Sequence, residues 1–400
     1  MDENMSPEEG GGNNPVKWVI GIVVIALIVW AIVYHNQKQN GATQNTNQTA
    51  AGDTYKVGVI LPLTGDAASY GEPGQNIISM AADEINAAGG VNGKKLELDI
   101  QDGKCNGQDA SNAMQKLVTI DKVQVVIGGF CSSESLAAEP IAESSKVAML
   151  SPGSSSPKLT GIGEYFSRDY PSDAAQGKVL ADVAYNQKGW RKVGFLQEQT
   201  DYAAGIYSAF STEFQKLGGT VTNEQFATAD TDFRTQLTKI KNENDNALFL
   251  DTQTPASADR VLAQIQQLNW KPQLLLSDVV PEDTTTMSQY KTLLEGTLAA
   301  EVGVDPANPK FAHLQQAYKA KYNTDLPYAT YGQTEYDSVY LVKDAIAAVG
   351  YDGSKIAAWF RTVKDWQGAS GAITIGSDGD PVVGHKPMII NNGQLIPLPQ

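Results

Sequence analysis

Residues 18–34 (WVIGIVVIALIVWAIVY) form an uncharged apolar run near the start of an otherwise polar, acidic chain. At ~1.5 Å per helical residue, the run and its flanks reach roughly the ~30 Å of a bilayer's hydrocarbon core. Trp18, Trp30 and Tyr34 lie toward its ends, where amphipathic rings favour the headgroup level. The pattern predicts one transmembrane anchor, preceded by a short tail at 1–17. A cleaved secretory signal is the rival reading. No A-x-A site closely follows the run, and the two cysteines, Cys105 and Cys131, lie far downstream, which leaves no lipobox cysteine to carry a lipid. Lys17 and Lys38 flank the run on opposite sides, so positive charge does not orient it. Residues 35–53 carry almost no large apolar side chain and read as a flexible polar tether.

Beyond the tether the periodicity changes. Residues 55–62 (YKVGVILP) read as a strand, and 74–87 have helical spacing that stops at Gly89 and Gly90. Strands are predicted at 96–100, 123–128 and 147–150, with helices at 109–120 and 132–146. The alternation then restarts. Strands at 192–197, 220–226, 247–251 and 273–276 interleave with helices at 203–217, 233–241 and 256–268. Two successive βαβα series imply two parallel-sheet α/β lobes. Ligands of such lobes tend to sit at the carboxyl ends of the strands.

About 350 residues follow the tether, a length typical of two domains rather than one core. The net charge is −15 and no Lys/Arg cluster is present, which argues against nucleic acid as a partner. Enzyme signatures are thin. The three histidines, His35, His313 and His385, are isolated and each reads as a surface residue, so no metal site is expected. The serine-rich stretch 151–157 (SPGSSSP) does not fit G-x-S-x-G. Residues 89–95 (GGVNGKK) are one residue short of a phosphate loop and put Lys95 where Ser or Thr belongs. They read as a helix stop and a turn.

Cys105 and Cys131 each follow a strand of the first lobe, and two cysteines in an exported domain favour a disulfide. Ser132 and Ser133 come next, at the expected start of a helix, where hydroxyls and free backbone N–H groups suit an anion. Simple N-capping is the plainer reading of that pair. A second polar loop, 151–157, follows the next strand at the same sheet edge.

These segments resemble the periplasmic binding proteins for leucine, isoleucine and valine, the solute-binding components of branched-chain amino-acid ABC importers. The residues carrying the likeness are ILPLTGDAASYGEPG (60–74), DEINAAGGVNGKKL (83–96), DGKC (102–105), IGGFCSS (127–133) and LSPGSSSPKLT (150–160). FSRDYPSDAAQG (166–177), TDYAAG (200–205) and TYGQTEYDSVYL (330–341) continue it. The resemblance implies an α/β, two-lobed type I periplasmic-binding-protein fold that hinges at three crossings. Lobe one would take 54–172 plus 304–380, and lobe two 173–303 plus 381–400.

By the same resemblance, Ser132 and Ser155 would receive an amino acid's carboxylate. The Gly153 carbonyl and the Ser155 hydroxyl would face its ammonium, and Asp278 would be the ammonium's acidic partner. Tyr70 would lie beside the ligand side chain, and Tyr202 would close over the site from lobe two. Relatives that bind leucine-type ligands carry a lobe-two tyrosine where this chain reads Thr252-Gln253-Thr254-Pro255, which weakens a leucine-type assignment. The implied partners are a small ligand and an ABC permease, with no cofactor and no catalysis. A ligand-sensing receptor working through a separate signalling partner is the alternative, and an anchored hydrolase a distant third.

Overall fold

The computed structural model describes residues 54–399. The expected anchor at 18–34 and tether at 35–53 lie outside the described residues. Among the described residues, no helix is long and apolar enough to cross a membrane.

The first lobe begins with β1 (Thr54–Leu61), α1 (Ala68–Ala87), β2 (Lys95–Asp102), α2 (Gly107–Thr119), β3 (Val125–Ile127), α3 (Ser132–Ser145), β4 (Ala148–Ser151) and β5 (Phe166–Arg168). Its five strands are all parallel, in the order β2-β1-β3-β4-β5. Alternate residues of each strand enter opposite layers. Val57, Val59, Leu61, Val125, Ile127 and Leu150 pack against α1, whereas Ile60, Val126 and Met149 pack against Met114, Leu117 and Ala138 of α2 and α3. A strand covered on both faces must be apolar at every position, which explains runs such as VGVIL.

The second lobe contains α4 (Asp173–Asp182), β6 (Lys192–Glu198), α5 (Asp201–Lys216), β7 (Thr220–Phe226), α6 (Arg234–Asn242), β8 (Ala247–Asp251) and α7 (Pro255–Gln267). Then come β9 (Leu274–Leu276), the short helices α8 (Val279–Glu282), α9 (Thr284–Gln289) and α10 (Lys291–Leu294), and β10 (Leu298–Glu301). The chain returns to lobe one for α11 (Pro309–Tyr322), α12 (Ala329–Val349), α13 (Gly353–Phe360) and the hairpin β11 (Trp366–Gly368) and β12 (Gly371–Ile373). It ends in lobe two with β13 (Lys386–Asn391) and β14 (Gln394–Pro397). The seven-stranded sheet runs β14-β13-β10-β9-β8-β6-β7, parallel except at the β10–β13 and β13–β14 pairings. The two-face logic repeats: Leu196, Leu248 and Leu250 meet α6 and α7, and Phe195, Phe249 and Leu275 meet α4 and α5.

The chain therefore passes between the sheets three times, at 169–172, 302–308 and 374–385. The first and third passages are tied together by Arg168. This fully buried side chain donates from Nε and Nη2 to the Asp380 carboxylate at 2.7 and 2.8 Å. Its Nη1 donates to the carbonyls of Ser154 and Ser156, each at 3.0 Å. One planar cation thus holds the passage and the serine loop in a single geometry.

Strand order reverses beside β1 and β3 in lobe one, and beside β6 and β8 in lobe two. Tyr70, Ser132 and Tyr202 lie in the first turn of the helices that follow β1, β3 and β6, and Gln253 lies in the loop after β8. Both lobes therefore aim their switch-point loops at the cleft between them.

Candidate functional site

The structure joins Cys105 to Cys131, with 5.2 Å between their Cα atoms. The bridge ties the loop after β2 to the start of α3. Glu134, in the first turn of α3, accepts from the backbone N–H groups of Cys131 and Cys105, both at 2.9 Å. Burial pushes the Glu134 carboxyl up to about 7, although those N–H groups pull it down. The Ser133 hydroxyl donates to the Cys105 carbonyl at 3.0 Å. Ser132, the first residue of α3, accepts from the Ser156 N–H at 3.1 Å. The two serine-bearing loops are thus stitched together at one sheet edge.

Glycine is required at two points of this edge. Gly128 has φ +120°, and a Cβ there would lie 2.3 Å from the Ile60 carbonyl oxygen. At Gly153 a Cβ would lie 2.7 Å from the Phe130 ring, so a side chain would push that ring into the cleft.

A small cavity lies between the lobes, lined by Tyr70, Phe130, Cys131, Ser132, Gly153, Tyr202, Gln253, Val279 and Tyr331. Four of the six residues expected at a ligand share this lining: Tyr70, Ser132, Gly153 and Tyr202. Asp278 stands behind two lining residues. Its carboxylate accepts hydrogen bonds from the hydroxyls of Tyr202 and Tyr331, and from that of Tyr170 at 2.9 Å. Ser155 is not in the lining. It is buried beside Asp173, whose N–H donates to the Ser155 carbonyl at 2.8 Å.

The aromatic wall is continuous. Tyr70 lies 5.5 Å from Phe130 and 5.7 Å from Tyr331, and Tyr331 stacks on Tyr170 at 5.0 Å between ring centroids. Burial, followed by neighbouring groups that include Asp278, holds the Tyr70, Tyr170, Tyr202 and Tyr331 phenols well above their ordinary range. They remain neutral donors at any physiological pH.

Carboxyl groups collect on the lobe-two side. Glu198, Asp251 and Glu301 end the strands β6, β8 and β10, and Asp278 lies two residues beyond β9. All four are buried. Burial first, then neighbouring carboxyls, pushes the Asp251 and Glu301 acids well above the usual carboxylate range. His385 corrects its reading as a surface residue. It is buried, neither ring nitrogen has a partner, and burial lowers it to about 4 against the opposing pull of Asp278. His313 is exposed, and its Nε2 lies 2.9 Å from Glu84. His35 falls outside the described residues. Among the described residues, no cluster of three ligating side chains could hold a metal ion.

A hinged pair of α/β lobes with a polar and aromatic cavity between their switch points narrows the family. The periplasmic binding protein family matches residues 54–390. The chain belongs to that family. It has the family's two-lobed type I α/β fold with parallel sheets. It is 28% identical over 314 residues to the leucine-, isoleucine-, valine-, threonine- and alanine-binding protein of Pseudomonas aeruginosa, covering 78% of this chain and 83% of that one. The crystal structure of a leucine-binding protein from Thermotoga maritima superposes with a TM-score of 0.79 at 29% identity, covering 86% of this chain and 98% of that one. The branched-chain amino acid transporter substrate-binding protein of Streptococcus pneumoniae, solved with isoleucine, gives 0.76 at 26% identity, covering 86% and 100%.

Sequence reasoning missed Phe130, Tyr170, Val279 and Tyr331. Tyr331 and Tyr170 lie inside the matching segments TYGQTEYDSVYL and FSRDYPSDAAQG, but only the folded chain brings them to Asp278. From the polar tract at Thr252-Gln253-Thr254-Pro255, Gln253 reaches the cavity.

Proposed function

We propose that the chain is a membrane-tethered, extracytoplasmic solute-binding protein that captures an amino acid or similar small polar solute between its lobes and hands it to an ABC permease. The observation that carries the reading is the bridge at Asp278: a lobe-two carboxylate receives phenols from both lobes beside a cavity edged by a helix N-terminus. The free N–H groups at the start of α3 and the Ser132 hydroxyl suit a carboxylate. Asp278 suits the ammonium, exchanging one of its phenol donors for the ligand's charged one. A zwitterion leaving water needs both charges met in this way.

Closure follows from differential contact. A ligand touching α3 on one side and Asp278 on the other gains its full set of bonds only when the lobes meet, so it shifts the population toward the closed form. The apolar run at 18–34 supplies the membrane tether, and 35–53 supplies the reach.

Thermal unfolding against single amino acids, small amides and carboxylates tests the reading. A specific ligand at ~100 times its Kd stabilises the protein by ~2.7 kcal/mol, visible as a raised Tm. Silence across all amino acids would overturn the assignment of the site. Detergent-solubilised permease whose ATPase rate is unmoved by the liganded protein would overturn the transport role.

A further inference from the structure

The cavity lining divides into side chains with a task already assigned and side chains without one. Ser132 belongs to the carboxylate seat at the start of α3, and the Tyr202 and Tyr331 hydroxyls are committed to Asp278. Cys131 is in the disulfide, and Phe130 and Val279 offer apolar surface. Two polar side chains of the lining remain, Tyr70 from lobe one and Gln253 from lobe two.

Tyr70 is buried, and its hydroxyl has no hydrogen-bond partner. Its ring is held by Tyr328, Phe130 and Tyr331, with centroids 4.7, 5.5 and 5.7 Å away. Buried hydroxyls are ordinarily hydrogen-bonded, and one left open on a cavity residue is matched to a polar group arriving from outside.

Gln253 is the only amide in the lining, and its main chain is fixed from both sides. Its N–H donates at 2.8 Å to the carboxyl of Glu198, a buried residue at the end of β6. The next residue, Thr254, caps α7 by accepting from the Ser257 N–H at 3.2 Å, and Pro255 opens that helix. The side-chain amide is thus presented on a rigid turn.

The rest of the lining excludes two kinds of ligand side chain. It contains no Lys, Arg, His, Asp or Glu, and Asp278 behind it is already engaged by three phenols. A charged side chain would therefore lie in the cavity without a counter-charge. A branched aliphatic one fails for the opposite reason. Closing over it would bury the Gln253 amide and the Tyr70 hydroxyl against methyl groups, and stranding a polar group costs more than a hydrogen bond gains.

We propose that Gln253 and the Tyr70 hydroxyl select the ligand's side chain, and that the solute is an amino acid with a short, uncharged, hydrogen-bonding side chain, a hydroxyl or a carboxamide. The inference deepens the reading of the cleft as an amino-acid site and rests on it. The Gln253 amide both donates and accepts, and the Tyr70 hydroxyl does either, so the pair serves both chemistries. The aromatic frame of Tyr70, Phe130 and Tyr331 around a small cavity sets the length. Because the two selecting groups come from opposite lobes, the matching side chain gains both bonds only on closure, which ties selectivity to the population shift.

The test is calorimetric titration of the full-length protein with two isosteric pairs, L-threonine against L-valine and L-asparagine against L-leucine. In at least one pair the polar member is expected to bind about 10-fold more tightly or better, a difference of about 1.4 kcal/mol. The double variant Gln253→Met, Tyr70→Phe keeps the bulk of both side chains and removes their hydrogen-bonding groups, and is expected to bring that ratio below about 3. A melting curve on the variant separates lost preference from lost fold, and the ratio in the unaltered protein decides the ligand class even where the variant does not fold. Ratios below about 10 in both pairs, or binding of other amino acids with silence from these four, would overturn the selectivity and leave the amino-acid reading standing. A ratio that survives the double variant would overturn the role of these two residues. Silence from every amino acid would remove both readings.

Discussion

The Tyr170 hydroxyl, at the first passage between the lobes, donates to the Asp278 carboxylate of lobe two at 2.9 Å. Tyr331 of lobe one and Tyr202 of lobe two donate to the same carboxyl group. A single acid thus gathers phenols from both sides of the cleft. In this structure it acts as a latch between the lobes, and it is also a candidate ligand contact.

Replacing that acid should loosen the latch. Each hydrogen bond to a charged group contributes about 1.5–3 kcal/mol, so Asp278→Ala is expected to lower amino-acid affinity by at least about 100-fold. Small-angle scattering should show a larger radius of gyration at saturating ligand than in the unaltered protein. An unchanged radius and affinity would show that closure is driven elsewhere.

Tyr331→Phe keeps the ring against Tyr70, Phe130 and Tyr170 and removes only the donor. Melting temperature should change little while affinity falls about 10-fold. Tyr331→Ala also opens the aromatic wall and should lower both.

Reducing the Cys105–Cys131 bridge frees a loop whose closure is worth about 3.5 kcal/mol by chain entropy. A fall in Tm of about 5–10 °C is expected, with a weaker ligand affinity because the bridge ends beside Ser132. Calorimetric scans with and without reductant check both. Equal affinity in the two states would mean that Glu134 alone holds the start of α3.

Arg168→Ala strands Asp380 and leaves the Ser154 and Ser156 carbonyls without their donor. Breaking a buried ion pair from one side costs about 3–5 kcal/mol. Urea unfolding should register that loss, and Arg168→Lys should recover little of it, because a point charge cannot span the carboxylate and both carbonyls.

Burial raises the Glu134 acid from 4.5 to about 7. Between those values the folded chain binds more protons than the unfolded chain, so this group's contribution to stability falls as pH rises through about 7. His385 works oppositely. Its affinity drops from 6.5 to about 4, so the unfolded chain binds more protons in that window and stability rises with pH. The difference in Tm between the unaltered protein and Glu134→Gln should therefore narrow or reverse from pH 5 to pH 8. A constant difference would mean that Glu134 titrates normally.

Eight strands, β1 to β4 and β6 to β9, were legible because their signals are local, whereas β5 and β10 to β14 carry no comparable apolar run and were not expected. Residues 220–226 and 247–251 are β7 and β8 to the residue, and the other boundaries differ by a few positions. The largest difference is α1, which begins at Ala68 rather than 74, because Gly71, Gly74 and Pro73 obscure its first turns. The serine loops were visible as polar interruptions after apolar strands. Tyr170, Tyr202 and Tyr331 reach Asp278 across 108, 76 and 53 residues of chain, and no local pattern records such meetings.

The sequence by itself determined the class of fold and the edges where a ligand would lie, since two-residue and 3.6-residue periodicities report which faces each element must bury. Only the tertiary structure decided the environment of the ionisable groups. His385 reads as a surface residue and is buried, and Asp251, whose surroundings no local pattern reports, is fully buried at the end of β8. The physical reason is that burial and neighbouring charge are set by elements far apart in the chain, and those two quantities decide whether a carboxyl or an imidazole is a surface group or the wall of a site.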